Sequence, residues 1–309
     1  MKLKHLLPLL MVTITSCTQN TFVITRKVFC FDTMVEVKLY EGKEENLNNI
    51  ESICNQYSDL SDNYRAVSGI NNVYTINHTN EDVTVDPKLY HLLEKSFQVI
   101  SVATHFNPLL GSLSKKWKTA IESGTTLSNK VIAQELEKIN NTIHAFKNNN
   151  VFQLNGEAEL DLGGIAKGYT LDVIKEYFAE KEIKHYLIDG GSSSILLGEK
   201  TTEDGYFSVG IKDIKNAYLT LKNCVISTSG NTTQGKHIVN PTTGQLADLY
   251  DAVIVISEGG ALGDALSTSM MMNSVSEIQA IETSQNVKAI AIKNGQIVYK
   301  NSNLEVRYR

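Results

Sequence analysis

Apolar and polar positions sort the chain into two regions of different rhythm. Over Thr21 to Tyr40, β-branched and aromatic residues cluster and read as strands. Glu41 to Tyr57 then takes a helical pattern. Val83 to Val102 is expected to be helical after Asp86-Pro87, because Leu89, Leu92, Leu93, Ser96 and Phe97 share one face. Asn148-Asn149-Asn150 reads as a turn between short strands. From Leu154 onward, apolar runs repeatedly end in small residues: Glu159-Leu160-Asp161-Leu162-Gly163-Gly164, then Tyr186-Leu187-Ile188-Asp189-Gly190-Gly191, then Val225-Ile226-Ser227-Thr228-Ser229-Gly230. Helices are expected at Ile165 to Ala179 and at Asp264 to Met272, and the last two strands at Val287 to Ile292 and Gln296 to Tyr299. Strands and helices mixed in this way indicate an α+β body. No internal repeat is visible, and Pro8, Pro87, Pro108 and Pro241 are too scattered to mark a linker.

Composition narrows the class. With 309 residues, 42% of them hydrophobic and 20% charged, the chain is long enough for a sizeable core and is not disordered. The net charge is -5 and no basic stripe occurs, which argues against a nucleic-acid partner. The 4 cysteines (Cys17, Cys30, Cys54, Cys224) are too few for a disulfide scaffold.

The first residues, MKLKHLLPLLMVTITSC, place Lys2 and Lys4 before an apolar stretch too short to span a bilayer. Ile14-Thr15-Ser16-Cys17 resembles a bacterial lipobox, with an ordinary secretory signal as the alternative. The expected organisation is a lipoprotein signal peptide at 1–16, a tether at 17–30 and one body at 31–309. The body would be exported and held at the membrane through a lipid on Cys17. In a Gram-negative organism that is the periplasmic face of the inner membrane.

Three segments carry candidate chemistry. In Asp161-Leu162-Gly163-Gly164-Ile165-Ala166-Lys167-Gly168-Tyr169, a strand is expected to end at Leu162 and a helix to begin near Ile165. Glycines admit a ligand to the backbone, and helix N–H groups with a lysine favour phosphate oxygens. A tight packing turn with a solvated lysine explains the same residues. In Gly263-Asp264-Ala265-Leu266-Ser267-Thr268, a helix opening at Asp264 sets Asp264 and Thr268 on one face as hard oxygen donors suited to Mg²⁺. A plain N-cap at Asp264 is the alternative. In Lys236-His237-Ile238-Val239-Asn240-Pro241-Thr242-Thr243-Gly244, His237 starts a short apolar strand and is either a general base or a structural residue. The other histidines show no HExxH-type pairing, and no GxSxG elbow occurs.

In order along the chain, these segments resemble the ApbE family of FAD:protein FMN transferases. Residues 161–172, DLGGIAKGYTLD, match that family's DxGGxAKGxxxD signature. Asp189-Gly190-Gly191, Thr228-Ser229-Gly230, the His237 segment and Asp264-Ala265-Leu266-Ser267-Thr268 are similar to its later blocks. Leu60-Ser61 through Ser68-Gly69-Ile70 and His105-Phe106-Asn107-Pro108 are similar to its earlier ones. The resemblance implies a T-fold-like α+β architecture of antiparallel sheets packed with helices. It implies Mg²⁺-dependent transfer of FMN from FAD to a threonine motif of an exported or membrane flavoprotein, with release of AMP. It would place the metal on the Ala166 carbonyl, Asp264 and Thr268, with Ser267 adjoining. FAD would lie along Gly163, Gly164, Lys167, Tyr169, Asp189 and Gly190, with Phe106 and Asn107 from the earlier half. His237 would sit at the diphosphate as base or contact. Hydrolysis of FAD to FMN and AMP, or flavin binding without catalysis, are the alternatives. The chain departs from the family at Asn107 (usually Asp), Phe31-Asp32-Thr33 (Met-Gly-Thr), Asn231-Thr232-Thr233 (Tyr-x-Arg) and near Tyr74 (often Asn).

Overall fold

A hairpin opens the fold. In the computed structural model, which describes residues 23–191, 193–230 and 235–309, β1 (Ile24–Cys30) and β2 (Thr33–Leu39) pair antiparallel along their full length. Between them Phe31 and Asp32 both take positive φ, 51° and 52°, the twist that a two-residue hairpin requires. Residues 24–30 are strand, as the β-branched pattern over Thr21 to Tyr40 predicts: Val28 and Cys30 point into the core while Phe29 points out. The signal peptide, Cys17, the start of the tether and Asn231-Thr232-Thr233 lie outside the described residues.

The chain continues through α1 (Glu44–Ser61), α2 (Val73–Asn77), β3 (Val83–Thr84), α3 (Pro87–Gln98), α4 (Gly111–Glu122), α5 (Asn129–Asn141), β4 (Ile143–Lys147) and β5 (Val151–Asn155). Next come α6 (Ala166–Glu180), β6 (Tyr186–Asp189), β7 (Ser194–Leu197), β8 (Phe207–Gly210), β9 (Ala217–Leu221), β10 (Cys224–Gly230) and β11 (Ala252–Ser257). The order closes with α7 (Gly260–Met270), α8 (Val275–Gln285), β12 (Lys288–Lys293), β13 (Gln296–Lys300) and β14 (Arg307–Tyr308). The main sheet has the order β1-β2-β6-β7-β10-β11-β12-β13, every neighbouring pair antiparallel. Two three-stranded sheets, β14-β9-β8 and β3-β5-β4, complete the fold. This is the α+β, T-fold-like arrangement expected.

Most elements fall where the pattern puts them, and the exceptions have local causes. The helix expected after Asp86-Pro87 begins at Pro87, where Asp86 caps it by accepting from Lys88 N at 2.8 Å. Val83 and Thr84 pair with β5. Neither Glu159–Leu162 nor the His237 segment is a strand. Each carries an isolated bridge, Leu110 with Glu159 and Val239 with Leu246. The second predicted helix starts four residues early, at Gly260 rather than Asp264.

The main sheet is covered on both faces, which explains why β11 is a continuous apolar run rather than an alternating one. Ala252, Ile254 and Ile256 pack with Phe207, Ala217 and Leu219 of β8 and β9. Val253 and Val255 face the helical side, with Ala261, Ala265 and Leu266 of α7. α6 sends Leu171, Ile174 and Phe178 towards β1, β2 and α1. No helix among the described residues is long and apolar enough to cross a membrane.

Candidate active site

The turn before α6 is built from its own backbone. Asp161 Oδ1 accepts the Gly163 N–H at 2.8 Å, and Leu162 O accepts the N–H groups of Ile165 and Ala166 at 3.0 and 2.8 Å. Asp161 N donates to Pro108 O at 2.8 Å, which ties the turn to the Phe106-Asn107-Pro108 segment. Gly164 faces Phe106 and Thr268: a methyl there would lie 3.1 Å from the Phe106 ring and 3.4 Å from Thr268 Oγ1. Three predicted residues from three distant segments thus meet at one point.

Asp264 is the node of the site. Only 7% exposed, it lies inside α7 rather than at its start. Its Oδ2 accepts the Gly168 N–H at 2.7 Å, and its Oδ1 accepts the hydroxyls of Ser227 at 2.6 Å and Ser194 at 2.9 Å. Burial pushes its carboxyl up to about 6, against the pull of Ser227, the Lys167 ammonium, Ser194 and the Gly168 N–H. Burial pushes the Lys167 ammonium down, while Asp264 and Cys30 hold it up. Lys167 Nζ donates to Ser193 Oγ at 2.5 Å. Thr268, one turn on from Asp264, shares a hydrogen bond of 3.1 Å with Ser229 Oγ, which also lies 2.9 Å from Ser267 Oγ.

The remaining predicted residues are placed as follows. Asp189 Oδ1 accepts from Gly191 N at 3.1 Å, and Gly190 N donates to Ser194 O at 2.8 Å, so this loop is joined to the strand that holds Ser194. Thr33 of the hairpin presses on Gly191, where an added methyl would come within 2.1 Å of Thr33 Oγ1. Asn107 Oδ1 accepts from Leu109 N at 2.9 Å. Tyr169 packs its ring 5.6 Å from that of Tyr57 on α1. The Ala166 carbonyl accepts the Thr170 hydroxyl at 2.7 Å. His237 is exposed, with Nδ1 3.0 Å from Gly235 O, and none of the bonds around Asp264 reaches it.

Suitability for Mg²⁺ follows from the donor chemistry. Among the described residues no three His, Cys, Asp or Glu side chains gather as a metal cluster. The node instead offers one carboxylate and several hydroxyls, all hard oxygens, and Asp264 Oδ2 has a single N–H on it. A cation that needs one or two carboxylates and keeps its waters fits this set.

Ser194 and Ser227, which hold Asp264, were not identified as site residues from sequence. Ser194 opens β7 shortly after Asp189-Gly190-Gly191, and Ser227 lies in the middle of β10 directly before Thr228-Ser229-Gly230; that adjacency is their only signal in the sequence. Asp172, the last residue of the signature, also has a role that spacing does not reveal.

The family model described as the ApbE family matches residues 31–291. An FAD:protein FMN transferase of Klebsiella pneumoniae (strain 342) is 26% identical over 293 residues, covering 88% of this chain and 90% of its own. One from Chlamydia muridarum (strain MoPn / Nigg) is 24% identical over 256 residues, covering 76% and 78%. Among solved structures, an ApbE protein from Thermotoga maritima superposes with a TM-score of 0.75 at 21% identity, over 91% of this chain and 97% of its own. The flavinyl transferase ApbE of Pseudomonas stutzeri gives 0.74 at 18% identity, over 93% and 94%.

Proposed function

Because the chain belongs to the ApbE family, we propose that it transfers FMN from FAD to a threonine hydroxyl of an acceptor flavoprotein and releases AMP, with Mg²⁺ at Asp264 and Thr268. The observation that carries this reading is the Asp264 node. One buried carboxylate is fixed at once by the glycine turn through Gly168 and by two sheet strands through Ser194 and Ser227, with the Lys167 ammonium beside it. Such a site suits a diphosphate.

The step forms a bond from the acceptor Oγ to the FMN phosphorus and breaks the phosphorus–oxygen bond to AMP, which leaves with that oxygen. Mg²⁺ bound at these oxygens would neutralise the diphosphate and stabilise the departing AMP. Lys167 adds fixed positive potential, and the Gly163-Gly164 turn lets phosphate oxygens approach the backbone. Phe106 and Thr268 both stand against Gly164 at the same turn. The threonine proton needs a base. His237 is our assignment: its exposed imidazole is open to an incoming protein, whereas the Asp264 oxygens already hold three donors. We place the reaction outside the cytoplasm on the Cys17 reading of the leader.

The test is incubation of residues 18–309 with FAD and Mg²⁺, with and without an acceptor bearing a threonine motif, following AMP and the fluorescent acceptor on a gel. Fluorescent acceptor with stoichiometric AMP is expected. Asp264→Ala is expected to lose turnover at least about 100-fold, and His237→Asn to lose transfer while retaining FAD binding. Undiminished transfer by His237→Asn would remove it as base, and AMP without labelled acceptor would replace transfer by hydrolysis.

A further inference from the structure

α6 and α7 exchange carboxylates. Asp264 of α7 accepts the Gly168 N–H in the first turn of α6 at 2.7 Å. In return, Asp172 of α6 accepts the Gly260 and Ala261 N–H groups that open α7, at 2.5 and 2.9 Å. The spacing is the same on both sides, four residues from Gly168 to Asp172 and four from Gly260 to Asp264, so each pair shares one face of its helix. The two glycines touch between them. A methyl on Gly168 would lie 2.1 Å from Gly260 O, and one on Gly260 would lie 2.3 Å from Gly168 O.

We propose that Asp172 is a positioning residue, which fixes where α7 begins and thereby where Asp264 stands against the glycine turn. The inference rests on the transfer reading for its catalytic consequence, and on geometry for the lock itself. The first N–H groups of a helix have no acceptor within it and need one from elsewhere when buried. Gly260 and Ala261 are buried, and neither Gly259 before α7 nor Ile165 before α6 provides a side-chain cap. Asp172 is the group that meets this need in α7, and Asp264 does so for Gly168. Burial pushes the Asp172 carboxyl up, and the N–H groups of Ala261 and Gly260 draw it back. Asp172 holds the opening of α7, seven and eight residues before Ser267 and Thr268 on that helix, and acts through Asp264.

Asp172→Asn tests this. The carboxamide keeps one acceptor and turns an NH₂ towards the second backbone N–H. Native-state hydrogen exchange without FAD or acceptor reads the lock: exchange at Gly168 is expected to quicken at least about 10-fold, since its partner Asp264 shifts with α7. In transfer assays kcat is expected to fall at least about 10-fold, with the acceptor KM within about 2-fold. Asp86→Asn, which weakens the cap of α3, is expected to change neither. Faster exchange at Gly260 and Ala261 alone, with Gly168 unchanged, would make Asp172 a local cap and overturn the proposal. If Asp172→Asn does not fold, the wild-type protein decides. Gly168, Gly260 and Ala261 should exchange through one shared opening, and rates at Gly168 that are about 100-fold slower would overturn it. A wild-type protein that makes neither AMP nor labelled acceptor would refute the transfer reading, while the exchange data would still decide the lock.

Discussion

Gly168→Ala puts the helix crossing under direct strain. The new methyl would lie 2.1 Å from Gly260 O and 2.8 Å from the Asp264 carboxyl carbon. Ordinary contact begins at 3.4 Å, so the first approach is about 1.3 Å too short. Both neighbours are held, Gly260 O by backbone and Asp264 by three hydrogen bonds, so relief requires α6 and α7 to part. Overpacking of this kind costs about 1–3 kcal/mol or somewhat more. Parting the helices also weakens the Gly168-to-carboxylate bond, worth about 1.5–3 kcal/mol. Against this, alanine is the better helix former by about 1 kcal/mol. Steric loss wins, and the net cost comes to about 2–4 kcal/mol. For a body of this size that lowers Tm by roughly 3–7 °C.

The assay is thermal unfolding by calorimetry beside the wild type, with transfer activity read at a temperature where both are folded. Gly210→Ala is the control, because its new methyl would find its nearest neighbour only at 4.0 Å. It should stay within about 1 kcal/mol of wild type. Gly168→Ala with an unchanged Tm and full activity would refute the close crossing, and with it the account of how Asp264 is placed.

Two further outcomes follow from buried groups away from this crossing. Glu135 is 1% exposed; burial pushes its carboxyl up, but the bonds from Lys116 at 2.7 Å and Ser112 at 2.5 Å outweigh this and hold it below the usual range. A depressed folded-state value stabilises above the unfolded pKa, and that stability is lost as pH falls through the folded value. The stability gap between wild type and Glu135→Gln in urea should therefore be full at neutral pH and shrink below about pH 4.5; a gap that is constant with pH would contradict the ion pair. Cys30, Cys54 and Cys224 are all free and buried. Burial pushes Cys224 up to about 11, and the Cys30–Cys54 hydrogen bond raises Cys54 while lowering Cys30. All three should resist a thiol reagent in the native protein and react together in urea, and any slow native reaction in the pair should fall on Cys30 before Cys54. Fast native reaction at Cys224 would show that β10 opens readily.

What was legible in the sequence is what local pattern encodes. The helices with one apolar face, the Asn148-Asn149-Asn150 turn and the closing strands follow from periodicity and turn chemistry alone. The glycine turn, Asp264 and Thr268 stand out by residue type and spacing, whereas Phe106 enters only through the family resemblance. Ser194 and Ser227 were hidden, because a serine in a strand means nothing until the sheet sets β7 beside β10. Their register puts Ser194 opposite Ser227, and both hydroxyls converge on the same Asp264 oxygen.

The displaced start of α7 shows why such gaps arise. A reading along the chain finds Gly259-Gly260-Ala261-Leu262-Gly263 and starts the helix at the first good cap, Asp264. The actual cap is Asp172, 88 residues earlier, which reaches across from α6 to Gly260. Once a distant carboxylate serves the first N–H groups, the helix begins at Gly260 and Asp264 is freed from capping its own helix. It then points sideways, into the turn of α6 and the serines of the sheet. The glycines that look like poor helix formers are what allow this, since Gly260 must meet Gly168 at backbone distance. The same substitution of a tertiary cap for a local one thus moves the helix start and releases the carboxylate for chemistry.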